Sequence, residues 1–471
     1  MPDPTLRVAI VGAGPAGFYT VQHLLQQRGH DVQIDMFDLL PTPFGLVRTG
    51  VAPDHPKIKA VTQLYHRLAT QPEFRFFGNV EYGKHLSLQD LRDHYDQIVF
   101  AIGAQADRWL GIPGEDLVGV HSAREFVAWY NGNPDHAHDA FELDTPAAMV
   151  IGVGNVAADV ARILCRVHDK LAVTDIADYA LNSLDDSQVR SVYVVGRRGP
   201  VQAKFSPPEI RELGELVDAE TSIPEHDFDL DEYSRQELDE SGVNSELRRK
   251  YDALLELRER REPHKHRRLI LRFQLSPVEI LGDEQGRVRA VRLERNRLAL
   301  GDDGVVRPRG TGVFEEIEVG LVFRSVGYKG EAVPELPFDV RGGVLPNQAG
   351  RVYDPSDSQA VRGVYAAGWI KRGPSGLIGS NKACAKETVD TMLADLAAGT
   401  VDLAPLRDPE DIDRLLEQRG LRFVTYQDWI AIDAAEVAAG AGQGRPRVKF
   451  TERDDFLRIA SHGAPRQTVG S

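Results

Sequence analysis

Hydrophobic positions along the chain repeat one pattern three times. In "LRVAIVGAGPAGFYTVQHL" (6–24) a β-branched run stops at glycines and gives way to a period near 3.6, which predicts strand, glycine turn and helix. "VQIDMFD" (32–38) follows as a second strand at the distance expected of a βαβ unit. The stretch 39–59, rich in Pro and Gly, reads as an ordered loop. A helix is expected over 58–68, then "FRFFGNVEYG" as strand or hairpin and "YDQIVFAIGAQ" as a buried strand. The pattern restarts at "AAMVIGVGNVAADVARIL" (147–164), with "VRSVYVVGRRG" as its next strand. Residues 206–270 read as mostly polar and helical, and strands return in "RLILRFQLSPVEIL", "VRAVRLERNRL" and "EIEVGLVFRSVGY". "GVYAAGWIKRGPSGLIGSNKACAKETVDTML" is the third copy. Its strand and helix complete the first half after Gly363, so the second half is inserted into the first. The expected fold class is α/β, with two Rossmann-like three-layer dinucleotide-binding domains. Residues 1–106 and 331–471, the latter with a C-terminal extension, form one, and 107–330 form the other.

The glycines predict chemistry. In "GAGPAG", Gly12 permits the tight turn, Gly14 lets backbone approach a pyrophosphate, and Gly17 allows helix and strand to pack closely. The free N–H groups and positive dipole end of the following helix suit phosphate. Asp38 closes the second strand 26 residues after Gly12, where an acid accepts ribose hydroxyls. The second motif has Gly152 and Gly154, with Ala157 as the third small residue, but its next strand ends in Arg197 and Arg198. An acid there favours the bare ribose of NAD, whereas two guanidiniums suit the 2′-phosphate of NADP; the plain alternative is a solvated basic turn. Gly152 to Arg197 spans 45 residues, so an excursion over roughly 166–188 separates helix and strand. The two nucleotides are expected to be FAD, held by the first half, and NADP(H), exchanged by the second. In the third motif, Gly376, Leu377 and Ile378 precede a long helix whose dipole can stabilise negative charge on a reduced flavin. Trp369, directly after Gly368, is a flat aromatic candidate beside flavin or nicotinamide, or else a core tryptophan.

Composition narrows the picture. The 471 residues carry 56 Lys and Arg against 71 Asp and Glu, a net charge of −15, which argues against a general nucleic-acid binder. Two cysteines, Cys165 and Cys384, supply neither a disulfide framework, nor a CxxC, nor a metal-ligand spacing, so no metal is expected. No apolar run approaches the ~18 residues of a membrane span, and the first strand begins too early for a signal segment; the expectation is a cytoplasmic protein.

"PFGLVRTGVAPDHPKIK" (43–59), "GNVAADVARIL", "VVGRRGPVQAKF", "EIRELGEL" and "GWIKRGPSGLIGSNK", in this order, closely resemble adrenodoxin reductase and the bacterial NADPH-dependent ferredoxin reductases of the same type, over nearly the whole chain. The resemblance implies FAD contacts from Ala16, Asp38, Leu46, Tyr82, Trp369 and Gly376 to Ile378. It implies NADP contacts from Val153, Gly154, Asn155, Val156, Arg197, Arg198, Glu209 and Gly376. The family commonly has Glu in place of Asp38 and an aliphatic residue in place of Tyr82. It places His55 near the flavin with Glu212 approaching it; the pair is expected to position the nicotinamide or move protons, the plain alternative being a structural histidine.

Without a cysteine pair, the electrons are expected to leave singly for an external acceptor, an acidic iron–sulfur ferredoxin. Its docking candidates are Arg211 and the basic cluster Arg248, Arg249, Lys250, Arg258, Arg260, Arg261, Lys265, Arg267 and Arg268. The rival readings are an NADPH oxidase or monooxygenase, and a flavin-bearing redox sensor that binds NADPH.

Overall fold

The computed structural model describes residues 5–260, 265–401, 403 and 408–460. Contacts divide the chain into two compact units. One takes in Met1–Ala106, Asn131–Ala137 and Gly327–Ser471, and the other Asp107–Tyr130 and His138–Val326.

The first unit is built on a seven-stranded sheet. From one edge the order is Asn347–Gln348, Arg351–Asp354, Gln359–Ala366, Gln97–Phe100, Leu6–Val11, Val32–Asp38 and Phe74–Gly78. The last five are parallel. Strand alternation sends successive residues to opposite faces, and both faces are covered. Val8, Ile10, Ile34 and Met36 enter one core cluster, while Ala9, Val11 and Phe37 enter another. This double burial explains why "LRVAIV" is a continuous apolar run. The helices Pro15–Gln26 and Asn381–Ala397 pack together although far apart in sequence. The stretch 39–59 is not wholly loop, since it holds two four-residue helical turns, Leu46–Thr49 and Pro56–Lys59. The helix expected over 58–68 starts later and runs Thr62–Ala69.

The second unit has an all-parallel six-stranded sheet in the order Val120–Ser122, Leu321–Arg324, Ala147–Ile151, Ser191–Val195, Arg267–Arg272 and Ala219–Ser222. Ala148 and Val150 face a helical layer, whereas Met149 and Ile151 face a cluster shared with Val291, Leu293 and Ile317. Those last residues belong to an antiparallel sheet of Leu275–Gly282, Val288–Leu300 and Val306–Glu318, which completes a three-layer arrangement. The excursion between 166 and 188 holds the helices His168–Leu171 and Asp178–Asp185. The polar stretch 206–270 is helical over Pro207–Gly214, Glu232–Glu240 and Glu246–Glu259, and it also contains the strand Ala219–Ser222. Among the described residues no helix is long and apolar enough to cross a membrane.

Candidate dinucleotide sites

Three loops of the first unit converge on its glycine turn. Gly12 has φ +110°, and a Cβ there would lie 2.6 Å from the Ala101 carbonyl oxygen. At Gly17 a Cβ would lie 2.2 Å from the Gly12 oxygen, so helix and strand approach closer than any side chain permits. Gly14, in contrast, has nothing within 4 Å of that position: the backbone is open where a pyrophosphate would lie. Gly14 caps the helix that begins at Pro15.

Asp38 ends the neighbouring strand. Its Oδ2 accepts from the Ala13 N–H at 2.7 Å and its Oδ1 from the Leu40 N–H at 2.9 Å, while further lone pairs stay available to ribose hydroxyls. Burial pushes this carboxyl up to about 6 against the lowering pull of the two backbone bonds and Arg453.

The "PFGLVR" loop lies against this turn. The Phe44 N–H donates to the Ala13 oxygen at 2.9 Å, and a Cβ on Gly45 would lie 2.8 Å from the Gly14 Cα. Leu46 opens the short helix beyond. From the other side comes Gly368, φ +77°, where a Cβ would lie 2.5 Å from the Cβ of Ala16. Trp369 is half-buried; its Nε1–H donates to the Ser375 oxygen at 3.1 Å and its ring stacks on Tyr328. Gly376, with φ +78°, and Leu377 are exposed, and Ile378 is half-buried. Their loop is braced by Arg372, which donates to Ser380 Oγ at 3.2 Å and Asn381 Oδ1 at 3.0 Å. Arg372 was not foreseen, although its place inside "IKRGPSG" could have suggested it. Tyr82 donates its hydroxyl to the Pro334 oxygen at 3.0 Å and sets its ring edge-on to Phe100. His55 is half-buried and caps the turn Pro56–Lys59.

In the second unit Gly152 has φ +138°, and a Cβ there would lie 2.1 Å from the Ser325 oxygen. Gly154 caps the helix Asn155–Cys165, and Ala157, fully buried, fills the position of the third glycine. Gly196 packs under Val153, whose carbonyl accepts from the Lys204 N–H at 2.7 Å. Asn155 Oδ1 accepts from the Ser206 N–H at 2.9 Å, and Val156 is half-buried beside it on the same first turn.

Arg197 is exposed and Arg198 half-buried. Among the described residues neither guanidinium meets a carboxylate, and the Nε of Arg198 is buried without a hydrogen-bond partner. An orphaned cationic donor at a strand end fits an anion of the NADP type. Glu209 stands in the first turn of Pro207–Gly214. One turn on, Glu212 faces the guanidinium of Arg162 at 3.6 Å, and Arg162 also bonds Asp159 at 2.8 Å. Arg162 is fully buried and was not foreseen, because an arginine in "ADVARIL" reads as a helix surface residue.

The basic cluster is largely engaged within its own unit. The Lys250 ammonium donates to the Ala203 oxygen at 2.5 Å and Lys265 to the Leu216 oxygen at 2.6 Å. Arg260 bonds the Gly214 oxygen and Arg267 the Arg166 oxygen, Arg258 lies over the Phe228 ring, and Arg268 reaches Ser191 Oγ at 3.1 Å. Arg248 pairs with Asp252 at 3.3 Å. Arg211 and Arg249 are exposed, and Arg261 lies outside the described residues.

Comparison with known proteins gives the family. A model of the pyridine nucleotide-disulphide oxidoreductase family matches residues 6–195. NADPH-ferredoxin reductase FprA of Mycobacterium leprae is 43% identical over 463 residues, covering 97% of this chain and 98% of the relative. This chain belongs to the NADPH-ferredoxin reductase and adrenodoxin reductase family. The mitochondrial NADPH:adrenodoxin oxidoreductase of Salvelinus fontinalis is 39% identical, covering 98% of this chain and 92% of the relative. The solved structure of Mycobacterium tuberculosis FprA in complex with NADPH matches at a TM-score of 0.87 and 42% identity, covering 98% of this chain and 99% of that one. The cysteines of this ferredoxin reductase family member do not suit disulfide chemistry: both are buried and free, and burial pushes the Cys165 thiol up to about 12.

Proposed function

We propose that this protein is an FAD-dependent ferredoxin–NADP(+) reductase, passing electrons from NADPH to a one-electron iron–sulfur acceptor of the ferredoxin or adrenodoxin kind. The observation that carries the reading is the pairing of two glycine turns with opposite strand-end chemistry, Asp38 after the first and Arg197 with Arg198 after the second. An acid selects free ribose hydroxyls and a guanidinium pair selects a ribose phosphate, so the two units are suited to FAD and NADP(H) respectively.

Ala16, Asp38, Leu46, Tyr82, Trp369 and the Gly376–Ile378 loop would hold FAD, and Val153 to Val156, Arg197, Arg198 and Glu209 would hold NADP(H). Bound flavin supplies the conversion of a two-electron hydride into single electrons, which nicotinamide alone does not offer. His55 and Glu212 are the candidates for positioning the nicotinamide or moving a proton. The Arg162 guanidinium, 3.6 Å from the Glu212 carboxylate, holds that side chain in place.

For the acidic acceptor, the exposed cations Arg211 and Arg249 are the free candidates, because much of the remaining cluster bonds its own unit. The experiment is a visible spectrum of the purified protein, titrated anaerobically with NADPH and then with a ferredoxin. A flavin band that bleaches with NADPH and returns with ferredoxin is expected. A flavin that stays reduced favours the sensor reading, and a folded protein without flavin ends the proposal.

A further inference from the structure

The guanidinium pair sits on a turn whose three successive carbonyls are each bonded from a distant segment. The Gly196 oxygen accepts from the Leu275 N–H at 3.0 Å and the Arg198 oxygen from the Gln274 N–H at 3.0 Å. Between them, the Arg197 oxygen accepts from the side-chain amide of Asn296 at 2.9 Å. The same amide nitrogen donates to Ser276 Oγ at 2.7 Å, and the Asn296 backbone N–H donates to the Gln274 oxygen at 2.7 Å. Asn296 is only 5% exposed. Gln274 has φ +58°, a left-handed conformation that a non-glycine residue adopts at a cost, held here by bonds on both its N–H and its carbonyl. Its side-chain amide also reaches the Asp229 oxygen at 2.7 Å.

This arrangement has a chemical consequence. Carbonyl oxygens left free beside a phosphate would repel it, and a turn free to rotate would scatter two guanidiniums over many orientations. A bond to each of the three carbonyls ties up one lone pair apiece and fixes the backbone from which Arg197 and Arg198 project.

We propose that Asn296 is a specificity-determining positioning residue, fixing the Arg197–Arg198 turn for recognition of the ribose 2′-phosphate. The inference rests on the NADP reading of the second unit. It predicts that loss of the Asn296 amide weakens the phosphorylated nucleotide selectively, because a 5′-phosphate would sit on the glycine turn at Gly152–Gly154, which Asn296 does not bond.

The test is calorimetric titration of the flavin-loaded full-length protein with adenosine 2′,5′-bisphosphate and, separately, with 5′-AMP. Wild type is expected to prefer the bisphosphate; if it does not discriminate, the NADP reading itself fails. Given that preference, Asn296→Leu is expected to lose about five- to tenfold in bisphosphate affinity, with 5′-AMP unchanged. Asn296→Ser adds no charge beside the phosphate and is too short to reach the Arg197 oxygen, so it carries the same expectation should the leucine variant fail to fold. An unchanged affinity ratio, or equal losses for both ligands, in whichever variant folds would overturn the proposal.

Discussion

Arg197 and Arg198 share a turn but not an environment. The first is exposed, while the second holds a buried Nε that finds no acceptor among the described residues. A buried donor left unmatched costs about 1–3 kcal/mol, which a bound phosphate would recover. Replacing both with alanine is therefore expected to raise KM for NADPH by about ten- to a hundredfold while sparing NADH, read from initial rates with a dye acceptor. Unaltered preference would remove the phosphate socket.

Asp38 gives a pH prediction. Its folded value near 6 lies above that of an unfolded aspartate, so the folded apoprotein binds the extra proton, and this contribution to stability fades as pH rises from about 4 to 6. Ribose hydroxyls donate to the ionised form, so FAD affinity of the apoprotein should rise with pH through 6, by about tenfold between pH 5 and 7. Flavin fluorescence titration measures it, and Asp38→Asn should flatten the profile. Asp38 was legible in the sequence from its spacing to Gly12, and Arg197 with Arg198 from their place at the end of the strand that follows the second glycine motif, despite the 45 residues between. Asn296 was not, since it bonds a residue 99 positions away and its own strand gives no sign of the partner.

Among the elements, the C-terminal helix Tyr426–Ala441 reaches back to the "PFGLVR" loop. Glu436, fully buried, accepts from Arg48 at 2.9 and 2.5 Å, from Arg447 at 3.2 Å and from the Phe450 N–H at 2.9 Å, and Arg48 lies over the Trp429 ring. Removing one member of such a pair strands a buried charge. Glu436→Ala should cost about 3–5 kcal/mol and release flavin at a lower temperature, whereas Arg48→Met with Glu436→Leu should regain part of the loss. Thermal melts followed by flavin fluorescence give both numbers. Element type was readable wherever periodicity was sustained, as in the three strand–glycine–helix copies. It was hidden where tertiary pairing decides: Ala219–Ser222 is four residues in a charged stretch, and Val306–Glu318 contains Pro308, Gly310 and Gly312 yet pairs along Val288–Leu300.

For the whole molecule, a net charge of −15 opposes an acidic partner unless local cations steer the encounter. On the proposed docking reading, the basic cluster supplies that field, since bonds to carbonyl oxygens leave its cations charged, and the exposed Arg211 and Arg249 make the direct contacts. Ferredoxin-linked cytochrome c reduction should then fall steeply between 50 and 300 mM salt, as roughly expected from a Debye length near 10 Å at 0.1 M, while direct dye reduction holds level. Equal salt sensitivity in both assays would dismiss a docking role for those arginines. Insertion of one half into the other was legible from the late third motif. That Asn131–Ala137 joins the first unit was not, because the turn cluster "NGNPDHA" shows where a helix stops and not which unit the segment packs on.

The strand Gln359–Ala366 pairs alongside Gln97–Phe100, with Val364 opposite Ile98. During synthesis the ribosome must deliver the whole intervening stretch before those two edges can meet, so the nicotinamide-type half has its full chain available earlier than the flavin-type half. On the proposed assignment of the two halves, newborn protein should thus pass through an interval in which the electron donor's seat has its full chain while the prosthetic group's seat still lacks its closing strand.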